Sequence, residues 1–465
     1  MLARLPLRAS IVALLLASFG LIVAVSPATS QTPTSFDQGR VVDRMPAVLS
    51  QRDRPAVINR VLEDRLDNLL PALMRETGID MWLIINREYA EDPVYFSLVP
   101  HPVHAARRTT MLVFHDRGEG NGVDRLTVNR YPFRSLYESA WSGGNLDEQW
   151  KGLAEVIRER NPNKIGINVS ATWPTADGLT ASLRDRLMEE LGSDLASRVV
   201  SAERLAVRWL ETRTDLELGT YPHIVQIARN VIAEAFSERV ITPGATTAAD
   251  VAWYIAERFA ELELPIWFQP SVDIQRAGQD CNDTSPFCGA SGDVVIQHGD
   301  VLHTDVGVCY LLLCTDTQEM GYVLRPGEDD VPEELALALA EGNLWQDMLT
   351  SSYATGKTGN QVLAETIEKC GRENLLCSTY THPIGYFGHA PGPTIGMWDN
   401  QGPTPERGDW LVYASTAYSI EGNARRKLDM WDGQYVVIKL EQDAVFDGEK
   451  VWYLAGRQTE WLLVR

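Results

Sequence analysis

The chain has 465 residues, more than one ordinary domain holds and comfortable for two. Its 42 Lys and Arg against 63 Asp and Glu leave a net charge of −21, the wrong sign for a surface that must neutralise phosphates, so nucleic-acid binding is disfavoured from the outset. A hydrophobic content of 45% is enough for packed cores and excludes wholesale disorder.

At the start, Arg4 and Arg8 precede an apolar run from Ile11 to Val25 and then Pro27-Ala28-Thr29-Ser30. A basic stretch, an apolar stretch and small residues read as a secretory signal over 1–30, cut after Ser30. A membrane anchor is the rival reading of the same segment. The expected protein is exported, periplasmic or secreted, with no stable membrane insertion after cleavage. Residues 31–50 are polar and contain proline, and read as a flexible lead-in. Six cysteines fall in three close pairs, Cys281/Cys288, Cys309/Cys314 and Cys370/Cys377. Short-range bridges suit an oxidising compartment, and the absence of a C-x-x-C spacing disfavours zinc.

Beyond the lead-in, Leu62, Leu66, Leu69, Leu70 and Leu73 recur at helical spacing before an apolar run, Met81–Ile85. Strand patterns follow over Met111–His115 and 125–131, then a helix over Glu148–Arg160, a strand over 164–169 and a helix over Leu179–Leu191. This alternation predicts an α/β domain over 51–205, with no catalytic constellation in it. Near residue 210 the pattern changes. Thr214 and Glu217 form a capping box, with Pro222 expected to delay or kink the helix that carries Ile224, Ile227, Val231 and Ala235. Pro243-Gly244 breaks the chain, and Thr247 opens a second helix through Phe259. Strand patterns near 266–274 and 294–325, helices near 331–351 and 360–370, and mostly strand signals thereafter predict an α+β domain over 208–465.

Chemistry concentrates in this second half. Asp305 lies in an apolar strand pattern and Asp316 lies eleven residues later in another. Inward-facing carboxylates in such strands need a cation to offset their desolvation, and a hairpin would bring both into one pocket. His382 and His389 flank Gly385 in "THPIGYFGHAPG", where small residues let backbone approach a ligand. Glu421 and Glu441 lie in late strand patterns, Glu441 among Val436, Val437, Ile438 and Leu440.

In this order, Asp, Asp, H-x-x-G-x-x-x-H, Glu and Glu resemble the pita-bread metallopeptidases: methionine aminopeptidase, aminopeptidase P and prolidase, with the metal-free creatinase sharing the fold. The resemblance implies a curved antiparallel sheet with outer helices over 208–465, behind a smaller creatinase-type α/β domain over 51–205. It implies a two-metal centre: Asp305 on one ion, His382 and Glu421 on the other, Asp316 and Glu441 bridging. The ions would be Mn2+ first, with Co2+, Zn2+ or Fe2+ as alternatives. A bridging hydroxide would attack an amide near the N-terminus of a small peptide, at an Xaa-Pro bond in the nearest subgroup. Glu421 would serve as general base, and His389 would stabilise the carbonyl or oxyanion. A homodimer is the default expectation for such a protein.

Three positions depart from the family pattern. The family carries a substrate-orienting His before the first Asp where this chain reads "TSPFCGASG", with His303 as the candidate substitute. Lys439 stands where an Arg is usual, two residues before the last Glu, and "APGPTIGMWD" follows His389 where an acidic residue is common. These departures leave open an amidase or phosphotriesterase-like hydrolase, or a catalytically altered protein that uses the fold for binding.

Overall fold

The computed structural model describes residues 45–131, 133, 136–279 and 289–465. The signal segment, most of the lead-in and the Cys281/Cys288 pair lie outside the described residues.

The first helical stretch runs as α1 (Arg54–Asp64), a π-helical turn over Arg65–Leu69, and α2 (Leu70–Thr77). Pro71 has no N–H to give, and the preceding Leu70 N–H reaches back to Arg65 O, widening the turn. Six strands follow: β1 (Met81–Arg87), β2 (Thr109–Asp116), β3 (Val123–Thr127), β4 (Glu138–Ser139), β5 (Ile165–Ile167) and β6 (Val199–Ser201), in sheet order β4-β3-β2-β1-β5-β6. The continuous apolar run of β1 now has its reason. Trp82 and Ile84 enter one core and Met81, Leu83 and Ile85 the other, so both faces are covered. Helices α3 (Leu146–Arg160), α4 (Ala181–Ala196) and α5 (Glu203–Glu211) complete this half.

Helix α6 (Asp215–Ala235) starts on the Thr214–Glu217 capping box, not late, and carries Pro222 inside it. Helix α7 (Ala248–Glu261) starts on a second box at Thr247. The remaining strands are β7 (Ser271–Gln275), β8 (Val301–Val306), β9 (Cys309–Tyr310), β10 (Leu313–Cys314), β11 (Thr317–Val323), β12 (Leu376–Thr379), β13 (His382–Pro383), β14 (Thr416–Leu428), β15 (Gln434–Phe446), β16 (Val451–Tyr453) and β17 (Leu462–Val464). All but the small β9–β10 ribbon form one curled, mostly antiparallel sheet with the path β12-β14-β15-β11-β8-β7. Helices α8 (Glu333–Thr350) and α9 (Gly359–Arg372) cover one face.

On β14 and β15, Tyr418, Ile420, Ile438 and Leu440 join a core with Trp345 and Leu349 of α8. By alternation Ser419, Glu421, Lys439, Glu441 and Asp443 point to the opposite face. Burial against the helices therefore aims the polar residues of both strands at one place.

Several sequence expectations need correction. Residues 45–50 are not a free lead-in: Leu49 N donates to Tyr310 Oη at 2.8 Å, His223 Nε2 lies 2.9 Å from Ala47 O, and Met45 and Val48 pack on the core. Strand β3 ends at Thr127 and β7 begins only at Ser271. Cys309–Cys314 and Cys370–Cys377 are bridged, as their spacing suggested. Among the described residues no helix is long and apolar enough to cross a membrane.

Candidate metal centre and cavity

Antiparallel pairing of β8 with β11 sets Asp305 opposite Gln318, and Asp316 immediately precedes β11. The β9–β10 ribbon, closed by the Cys309–Cys314 bridge, turns the chain between them. Pairing of β14 with β15 places Glu421 directly opposite Glu441, and β13 places His382 opposite Ser419. Two carboxylates facing each other across strands repel unless something positive intervenes.

These side chains converge. Ligand atoms of Asp305, Asp316 and Glu441 lie within 4.8 Å of one another, as do those of His382, Glu421 and Glu441, and those of Asp316, His382 and His389. His382 Nδ1 lies 2.9 Å from Pro383 O, so Nδ1 carries the hydrogen and Nε2 is a bare lone pair. That nitrogen faces Asp316 Oδ2 and Glu421 Oε2 at 3.7 Å and Glu441 Oε1 at 3.8 Å, acceptors facing an acceptor. His382 Nε2, Asp305 Oδ1 and Asp316 Oδ1 are buried with no hydrogen-bond partner. Burial pushes the Asp305 carboxyl up to about 6 and raises Asp316, Glu421 and Glu441 strongly. For Asp316 the neighbouring Glu441 and Asp305 add to the effect. Burial also pushes His382 down to about 3. A buried lone pair facing three carboxylates, with a fourth, Asp305, beside two of them, is costly as it stands and is relieved by divalent cations, which this oxygen-rich set with one imidazole suits.

Other groups orient the set. Ser419 Oγ donates to Glu441 Oε1, and Asp316 N donates to the buried Asp443 at 3.2 Å. His389 packs edge-on against His382, 4.7 Å between ring centroids, and against Trp267 at 5.0 Å. Trp267 Nε1 donates to Thr315 O at 2.9 Å, and the indole is wedged between Gly307 and Gly388. A Cβ on either glycine would stand 2.1 or 2.2 Å from it. The glycines of this turn were expected to let backbone approach a ligand. Instead Gly388 admits Trp267 and Gly385 admits the Arg213 guanidinium.

His382, His389 and Glu421 open onto a cavity of about 460 Å³. His382 and Glu421 each keep 14% of their side-chain surface, against 1% for Glu441, so these two are its exposed ligand candidates. The walls are largely apolar, with Tyr380, Met397 and Trp398, and Trp173 comes from the first α/β layer, whose sequence carries no catalytic constellation. Arg407 also lines the cavity, its guanidinium 5.5 Å from the Trp173 ring and its Nη2 donating to Thr172 O at 3.2 Å. Among the described residues it has no carboxylate partner. No local signal marks Trp173 or Arg407 in the sequence, because only chain closure over more than two hundred residues brings them together.

His303 does not take the place of a substrate-orienting histidine. It is 4% exposed, is not part of the cavity wall, and has both ring nitrogens engaged by Asp273 and Gln318. Lys439 Nζ sits 3.0 Å from both oxygens of Asp273. Gln318 donates to Glu421 and Glu441; the sequence signal for it is its place two residues after Asp316, which the extended chain entering β11 turns to the same side.

The sequence matches no protein-family model and no curated protein. Solved structures do match. An X-Pro aminopeptidase from Thermotoga maritima is 18% identical with a TM-score of 0.59, covering 84% of this chain and 100% of that one. An Xaa-Pro dipeptidase from Bacillus anthracis is 17% identical with a TM-score of 0.58, covering 88% and 99%. A dipeptidase from Pyrococcus horikoshii is 19% identical with a TM-score of 0.55, covering 85% and 99%. At such identities the likeness establishes the fold: the chain has the pita-bread fold behind an α/β layer, as its motifs implied.

Proposed function

We propose that this pita-bread chain is a metal-dependent peptidase that hydrolyses an amide bond near the N-terminus of small peptides, with Xaa-Pro dipeptides as the first substrates to try. One observation carries the reading: side chains from separate strands bring the Asp316, Glu421 and Glu441 carboxylates around an imidazole nitrogen whose lone pair has no donor, with Asp305 beside Asp316 and Glu441. Asp305, Asp316, His382, Glu421 and Glu441 would hold two divalent ions, Mn2+ first. Bound there, such ions supply Lewis acidity toward a carbonyl and lower the pKa of water.

The chain's own residues account for the rest. Glu421 lines the cavity and, held ionised by bound cations, would accept a proton from attacking water and pass it to the leaving amine. Partial burial lowers the His389 pKa, and the neutral imidazole would donate to the developing oxyanion. Arg407, without an acidic partner among the described residues, would pair with the free carboxylate of a dipeptide. Trp173, Tyr380 and Trp398 exclude water and receive an apolar side chain or a proline ring. Two disulfides suit an oxidising compartment, in keeping with an exported enzyme.

The test is metal content of the purified protein, followed by hydrolysis of Xaa-Pro dipeptides and longer Xaa-Pro peptides with Mn2+ or Co2+ supplied. Bound metal with turnover supports the reading. A protein that takes up neither ion and cleaves none of these substrates refutes it.

A further inference from the structure

Behind the two glutamates runs a buried file of polar side chains to which the proposed chemistry gives no part. Four strands supply one residue each: Gln318 on β11, His303 on β8, Asp273 on β7 and Lys439 on β15. Gln318 Nε2 lies 2.6 Å from both Glu421 Oε1 and Glu441 Oε2. Carboxylates only accept, so the amide nitrogen must face them, each of its hydrogens going to a different glutamate. The amide oxygen is thereby turned to His303 Nε2, 2.8 Å away, and His303 Nδ1 lies 2.6 Å from Asp273 Oδ2. Lys439 Nζ closes the file at 3.0 Å from both Asp273 oxygens. Gln318 is 3% exposed and His303 and Lys439 are 4% exposed, so water has little access to the bonds at the Gln318 end, while Asp273 keeps 17% of its side-chain surface.

We propose that this file is a positioning device for the ligand carboxylates: Gln318 clamps Glu421 to Glu441, and His303, Asp273 and Lys439 fix the orientation of Gln318. The two glutamates stand directly opposite and, left alone, swing apart. One amide with two hydrogens holds them at a set separation, and it does so only while its oxygen is engaged from behind. Without that second anchor the amide would still turn its hydrogens to the carboxylates, but its position between them, and with it the separation of the two glutamates, would no longer be fixed. Lys439 thus acts two residues from Glu441 along the strand yet through three intervening side chains.

The inference rests on the metal-centre reading and is tested by calorimetric titration of the metal-stripped full chain with Mn2+. Gln318→Leu is expected to weaken Mn2+ binding by about 10- to 100-fold, the usual consequence of losing a partner that orients a ligand. The decisive pair is at His303. His303→Gln keeps a donor toward Gln318 and is expected to stay within about threefold of wild type, whereas His303→Leu falls about tenfold or more. A merely structural role would lower the thermal midpoint of both His303 variants without separating their Mn2+ affinities. This pair also decides the matter if Gln318→Leu does not fold. Equal Mn2+ affinity in His303→Leu and His303→Gln overturns the proposal, as does a folded Gln318→Leu protein that binds like wild type. If wild type itself binds no Mn2+, the metal-centre reading falls and the positioning role falls with it, an outcome distinct from wild-type binding that the variants leave untouched.

Discussion

Replacing Gly388 by alanine tests how the Trp267 wedge supports His389. The new Cβ would stand 2.2 Å from Trp267 Cε2 and Cζ2, where ordinary contact begins at 3.4 Å, so the ring or the turn must yield by about 1.2 Å. The ring cannot retreat freely, because it lies against the Gly307 backbone, where an added Cβ would stand 2.1 Å from Nε1, and the indole N–H is bonded to Thr315 O. Overpacking of this kind costs about 1–3 kcal/mol, and losing the Thr315 bond adds about 1 kcal/mol, so a loss of about 2–4 kcal/mol in unfolding free energy is expected. His389 follows Gly388 directly and packs edge-on against Trp267, so it shifts as well. If it is the oxyanion donor, kcat falls by about 100- to 1,000-fold with KM little changed. Urea unfolding and steady-state kinetics on an Xaa-Pro dipeptide read the two effects. Trp267→Phe, a smaller ring, should relieve the clash, so Gly388→Ala costs less in that background. A Gly388→Ala protein with wild-type stability and turnover would refute the wedge argument.

Three further outcomes are expected. Asp316→Asn removes a carboxylate shared between two of the ligand groups and should lose at least one bound Mn2+ together with turnover; metal analysis and activity measured on one preparation check this, and unchanged values reject the ligand assignment. Arg407→Met should raise KM for an Xaa-Pro dipeptide by about 10- to 100-fold while leaving its C-terminal amide unaffected; an equal rise for both substrates removes Arg407 from carboxylate recognition. Asp92, buried beside Val94 N and Asn168 Nδ2, has its carboxyl pushed up to about 6 by burial. A carboxyl raised in the folded state stabilises fully below its unfolded value near 3.8, and that contribution disappears as pH rises through about 6. Relative to Asp92→Asn, wild type should lose about 3 kcal/mol between acid and neutral pH, and parallel stability–pH curves for the two proteins would refute it.

What the sequence determined by itself was local chemistry and its order. The capping box at Thr214, the helix start at Thr247, the apolar run of β1 and carboxylates set in apolar strands are visible within a few residues, because helix and strand periods and the cost of a buried charge act at that range. The order of Asp305, Asp316, His382, Glu421 and Glu441 was enough to imply the pita-bread fold, which the solved structures bear out. Tertiary structure decided what these residues meet. Only sheet register set Glu421 against Glu441 and threaded Gln318, His303, Asp273 and Lys439 behind them. Only the docking of the first α/β layer brought Trp173 to Arg407 across the cavity. The glycines before His389 looked like room for a ligand until the fold filled that room with Trp267 and Arg213. A residue's type and its near neighbours settle what it can do chemically, whereas its partners depend on strand pairing between distant segments, which no local pattern encodes.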